Sequence, residues 1–157
     1  RLDIVKSFFN HDGSLKPPAT PKQMQDGFAW ACEFGRTSVV DFLLQRGMDL
    51  DAKLRHHGQT GLHWAAYGGH VDTVKLLIER GAPIDAKDES YEGTPLGWAL
   101  YAWGNSRSAK QEPYYEVVAL LVRAGARLDP TWYEAAENRP AAEKIRSDPR
   151  MRAALGD

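Results

Sequence analysis

A single cysteine, Cys32, stands among the 157 residues. One thiol builds neither an internal disulfide framework nor a cysteine-rich zinc site, and it fits a reducing, cytoplasmic setting. An excess of either charge is also missing, with 20 Lys and Arg against 21 Asp and Glu and a net charge of −1. Proteins that grip nucleic acid by its phosphates carry a basic surplus, so that class is set aside. Long apolar runs are absent as well. The stretch from Val117 to Val122 falls far short of the roughly 20 residues of a membrane-spanning helix. There is no G-x-S-x-G elbow, no phosphate loop and no H-E-x-x-H pair, the local signatures of several hydrolase and nucleotide-binding classes. The chain has no initiator Met and no basic-then-apolar leader, so it reads as a fragment or a processed form. What is present is 43% hydrophobic and 26% charged, a globular balance in a length suited to one domain.

Internal repetition organises the rest. Under the shift that carries Phe28 onto Leu62, the segment Phe28-Ala29-Trp30-Ala31-Cys32-Glu33-Phe34-Gly35 falls on Leu62-His63-Trp64-Ala65-Ala66-Tyr67-Gly68-Gly69. The same shift lays Phe42 to Gly47 on Leu76 to Gly81, and Thr60-Gly61-Leu62-His63-Trp64-Ala65 on Thr94-Pro95-Leu96-Gly97-Trp98-Ala99. Gly125 lies farther beyond Gly81 than Gly81 lies beyond Gly47, which puts ten extra residues near 104–115. Each unit reads as two helices and a turn. Thr60 and Thr94 are N-cap types, and Pro95 suits a first helical position. Gly35 and Gly69 close the first helices, and Gly47, Gly81 and Gly125 the second. Val40, Leu43, Leu44 and Val74, Leu77, Ile78 recur at helical spacing.

These motifs resemble the ankyrin-repeat family, whose T-P-L-H-x-A signature is carried by Thr60 to Ala65 and Thr94 to Ala99. Gly69-His70 and the run to Gly81-Ala82 continue the pattern. The resemblance implies an all-α repeat solenoid of helix-turn-helix units linked by β-turn or hairpin loops. Its parts would be a truncated upstream second helix and linker over 1–19, repeats over 20–53, 54–87 and 88–129, and capping helices over 130–157. Arg1 to Lys6 matches His70 to Lys75, so Leu2, Val5, Phe8 and Phe9 should pack on the first full unit. Trp132 to Ala136 is expected as a short first helix, Pro140 to Ile145 as a second, with a last turn through Leu155. The inserted segment looks polar and loop-like, so shortening it should cost little closure entropy.

Candidate sites follow from the same register. His56 and His57 are adjacent on a turn, and His63 and His70 lie seven apart with no cysteine nearby, which does not make the convergent ligand set zinc needs. Trp30, Trp64 and Trp98 recur once per unit and are expected as interface core, and Cys32 as an inert buried thiol. The family resemblance implies a structural role for His63 and a non-catalytic scaffold that binds a protein partner on its concave face, as a monomer and without a cofactor. Carried onto this chain, that face is Glu33, Phe34, His56, His57, Gln59, Tyr67, Glu89, Ser90, Tyr91, Tyr101 and Trp103. The alternatives are a regulatory or targeting segment of a longer, enzymatic protein, and a small metal or ligand binder using His56 and His57.

Overall fold

The computed structural model describes residues 1–54, 57–107 and 110–157. Its α-helices are α1 (Leu2–Ser7), α2 (Pro21–Glu33), α3 (Thr37–Gln45), α4 (Gly61–Tyr67), α5 (Val71–Glu79), α6 (Pro95–Asn105), α7 (Glu112–Arg123), α8 (Arg139–Ser147) and α9 (Pro149–Leu155). The starts of α2, α4 and α6 follow hydroxyl residues, Thr20, Thr60 and Thr94. Thr20 accepts from the Gln23 amide while the Gln23 side chain accepts from the Thr20 amide, and Thr94 accepts from the Gly97 amide at 3.2 Å. Each bond satisfies a first-turn amide that has no helical partner. The ends follow the glycines: Gly35 and Gly69 sit at φ 63° and 69°, where a Cβ is strained.

The helices form two rows. In one, α2 packs on α4, α4 on α6 and α6 on α8; in the other, α1, α3, α5, α7 and α9 follow one another. Small side chains let the first row close, because Cys32, Ala65, Ala66 and Ala99 are wholly buried. Val40, Val74 and Val118, with Leu77 and Leu121, do the same for the second row. An isolated antiparallel bridge at Leu54–Gln59, and the Asp88 amide donating to the Gly93 carbonyl at 3.1 Å, close the tips between units. Burial pushes the Cys32 thiol far above its ordinary pKa, which leaves it protonated and unreactive.

Four expectations are corrected. Trp132 to Ala136 does not form an α-helix. It falls in 3-10 turns at Pro130–Tyr133 and Ala136–Asn138, and α8 and α9 take the first-row and second-row places at that end. Trp30 is 54% exposed, although Trp64 and Trp98 at the same register are partly covered. Trp98 lies edge-on against Trp64 and Tyr67 of the preceding first-row helix, at centroid distances of 5.7 and 5.6 Å. Trp30 has no first-row helix on that side among the described residues. At the N-terminus, Phe9 is buried and Leu2 and Val5 pack on the core, but Phe8 stays half exposed.

The fourth correction concerns the insertion. Residues 108 and 109 lie outside the described residues, but the segment around them is built into the array. It lengthens α6 to 11 residues against 7 for α4, and α7 to 12 against 9 for α5. Gln111 is buried and donates to the carbonyls of Trp103 and Ser106, both at 3.1 Å. Trp103 is wholly buried, with the Lys144 ammonium 5.0 Å from its ring. Arg150 forks onto Glu112 at 2.6 and 3.0 Å and lies 4.1 Å over Tyr115, whose hydroxyl donates to Asp148 at 2.8 Å. These contacts bind the insertion to α8 and α9.

Trp103→Ala is therefore expected to cost about 3–5 kcal/mol, and Trp30→Ala less than about 1 kcal/mol because half its surface is already wet. Replacing Asn105 to Glu112 with a short turn should lower stability by about 1–3 kcal/mol through the lost Gln111 and cap contacts. Urea denaturation of the three variants checks this ordering.

Candidate functional site

The tips are positioned by polar side chains buried at the helix starts. His63 is wholly buried. Its Nδ1 accepts from the Thr60 amide at 3.1 Å, so Nε2 carries the proton and donates to the Gly93 carbonyl at 2.9 Å. One imidazole thus ties its own helix start to the next unit's tip. Burial pushes its pKa down, against smaller opposing effects from Gly93 and Asp88, which keeps the ring neutral. At the third unit Gly97 replaces His63 in the register, and the Trp132 indole packs over the gap.

Asp88 anchors the second tip. Its carboxylate accepts from the amides of Ser90 and Tyr91 at 2.8 Å and of Gly93 at 2.9 Å, and from the Trp98 indole N–H at 2.9 Å. Burial opposes its ionisation, but these donors outweigh it and hold the pKa below the usual carboxylate value. An Asp followed by such a turn is legible in sequence; the reach of an indole from the following helix is not. The same Trp98 is edge-on to His63, Trp64 and Tyr67, so the tip and the aromatic face of the first row share one hub.

Neighbouring units are also bolted at the other helix ends. His70 Nε2 donates to the Glu33 carbonyl at 2.7 Å, and Tyr114 donates its hydroxyl to the Tyr67 carbonyl at 2.7 Å. Glu33 and Tyr67 lie one period apart, and Tyr114 follows His70 by that period plus the insertion. A tyrosine has taken over the histidine's bond. Thr37 and Thr73 share a further hydroxyl bond of 2.8 Å between the units.

The residues marked in the sequence divide between surface and interior. Tyr67 and Tyr101 are 37% and 38% exposed, Phe34 is half exposed, and Tyr91 reaches 70% at the tip. Phe34 stacks on Trp30 at 5.4 Å with the rings 6° from parallel. His57, Glu89 and Ser90 come together: the His57 carbonyl accepts from the Glu89 amide at 2.8 Å, and its Nδ1 meets the Ser90 hydroxyl at 2.7 Å. Glu33 is partly buried at the helix end. Gln59 and Trp103 are buried and leave the candidate surface, Trp103 beneath α8, whose Lys144 lies over its ring. His56 lies outside the described residues. Trp30, expected in the core, joins the surface instead.

Among the described residues no three His, Cys, Asp or Glu side chains gather as a metal site, and no helix is long and apolar enough to cross a membrane. The two helical rows and bonded tips define a repeat array. A family model described as ankyrin repeats, in three copies, matches residues 28–131, and the chain belongs to the ankyrin-repeat family. A search of curated proteins finds no match. Ankyrin repeats generally serve as protein–protein interaction modules and are typically non-catalytic.

Both anchors make the array acid-sensitive. The folded pKa values of His63 and Asp88 lie below their ordinary values. Their stabilisation is present above the unfolded pKa values of about 6.5 and about 4 and is lost as pH falls below them. The thermal midpoint should therefore drop between about pH 7 and pH 4, His63 acting first. Asp88→Asn should cost about 1–3 kcal/mol at neutral pH and flatten the acid limb of a melting-temperature profile against pH.

Proposed function

We propose that this chain is a non-catalytic, intracellular scaffold that binds a protein partner on the side formed by the first-row helices and the tips. The observation that carries the reading is the distribution of exposed aromatics. Of the eight large hydrophobic side chains exposed among the described residues, Trp30, Phe34, Tyr67 and Tyr101 lie on first-row helices or their ends, and Tyr91 lies on a tip. The exposed positions of α5, by contrast, are Asp72, Lys75 and Glu79. Aromatic side chains bury much area with few rotors, which is why they anchor interfaces. His57, Glu89 and Ser90 supply a hydrogen-bonding edge to the same surface.

The test is a Tyr67→Ala/Tyr101→Ala double variant. Each change should cost about 1–2 kcal/mol of partner binding, so recovery of the partner from the source cell's lysate should fall sharply. Stability should drop by only about 1 kcal/mol, from the lost edge contact of Tyr67 with Trp98, so circular dichroism melting must show a folded variant. Undiminished recovery by the folded variant would reject this surface.

A further inference from the structure

α4 and α6 stand inside the first row, with α2 before them and α8 after them. Together they expose Tyr67 and Tyr101, which hold the same register on adjacent helices. Trp98, one turn before Tyr101, lies edge-on to Tyr67 at 5.6 Å with the ring planes 70° apart, so the rings form ridges and slots instead of a flat patch. Neither helix exposes a charged side chain. Charge reaches this surface from the apex of the second tip, where Glu89 and Glu92 are exposed on either side of Ser90 and Tyr91. The Glu89 side chain leans over the first tip, since a Cβ on Gly58 would come within 2.6 Å of its Cγ. No Lys or Arg occurs in residues 57–74 or 88–105, and the Lys53 ammonium is held at the Lys87 carbonyl, 2.8 Å away.

Resting on the reading of this side as the partner-binding surface, we infer that it takes a basic, proline-rich segment of the partner in the polyproline II conformation. Its prolines lie on Tyr67, Trp98 and Tyr101, and its arginine or lysine side chains reach Glu89 and Glu92. Conformation, spacing and charge each favour this occupant. A β-strand cannot add to this face, because helix backbones bond internally and present no edge. A polyproline II segment needs no edge, since its own backbone makes no internal hydrogen bonds and stays solvated. Packed helices stand about 8–10 Å apart, and the wholly buried Ala65, Ala66 and Ala99 let α4 and α6 approach closely. Tyr67 and Tyr101 thus repeat at nearly the advance of one polyproline II turn, about 9 Å for three residues. Prolines three apart meet equivalent tyrosines, whereas same-face residues of a strand advance about 7 Å and fall out of step. Proline rings suit slots between aromatic side chains. The same three-residue turn aligns every third side chain, so one column of the ligand faces the apex while the prolines face the rings. Two carboxylates there, with no cation on α4 or α6, set the sign of that column as positive.

The probe is a fluorescein-labelled peptide of four Pro-Pro-Arg triplets, compared with Pro-Pro-Glu and Gly-Ser-Arg peptides of the same length. The first control keeps the conformation and reverses the charge; the second keeps the charge and loses the conformation. Fluorescence anisotropy against the whole chain should show saturable binding of the Pro-Pro-Arg peptide, at least about tenfold tighter than of either control. Glu89→Gln/Glu92→Gln should weaken it at least about fivefold and reduce its salt dependence. Glu79→Gln, which removes an exposed carboxylate of α5 instead, should leave it unchanged. Tyr101→Ala should also weaken it at least about fivefold; if that variant does not fold by circular dichroism, the exposed Glu89/Glu92 pair decides the matter. Absence of saturable binding, equal binding of either control, or binding that either set of surface variants leaves unchanged overturns the proposal. The broader reading fails separately. Loss of the lysate partner from the folded Tyr67→Ala/Tyr101→Ala variant, without Pro-Pro-Arg binding by the parent, keeps the surface and removes this ligand. Undiminished recovery of the partner by that variant rejects the surface itself.

Discussion

No unit of this chain can bury its apolar face by itself. A first-row helix as short as the seven residues of α4 lies well below the length at which a helix persists alone. It exists because α2 and α6 close on both of its sides, and they close because the facing residues are small. Stability in such an array resides in the interfaces between neighbours. Everything else here depends on that stacking.

Stacking by apolar contact alone leaves the sliding of one unit on the next weakly specified. The polar bonds fix it. His63 joins its helix start to the tip carbonyl of Gly93, Asp88 gathers three amides and the Trp98 indole, and His70 and Tyr114 pin the helix ends behind them. Each is directional and largely buried, so a slip would leave a polar group unpaired away from water. Once the units are held this way, Trp30, Phe34, Tyr67 and Tyr101 remain exposed along the first row.

The helices that flank the three units meet the same problem with other contacts. At the C-terminal side the lengthened α6 and α7 present Trp103, Tyr115 and Glu112, and α8 and α9 answer with Lys144, Asp148 and Arg150. Cationic side chains over aromatic faces let a terminal unit cover apolar surface while showing charge to water. Among the described residues α1 packs on α3 before the first full unit, and Phe8, Trp30 and Phe34 are exposed beside α2.

The repeat period, the helix caps and the family were all legible in the sequence, because spacing, capping residues and glycine stops are local properties. So was the burial of Cys32, which shares a register with Ala66. By itself the sequence also determined that Tyr67 and Tyr101 occupy equivalent places one unit apart. It did not determine what each repeated residue touches. Trp30, Trp64 and Trp98 have one register and unequal exposure, because burial depends on whether a helix stands before them. The burial of Gln59 and Trp103 is decided by the packed array, Trp103 by the covering α8. The bond from Trp98 to Asp88 and the exchange of His70 for Tyr114 likewise join segments brought together by folding. Local pattern specifies a unit; only the neighbours in three dimensions decide which of its faces meets protein and which meets water.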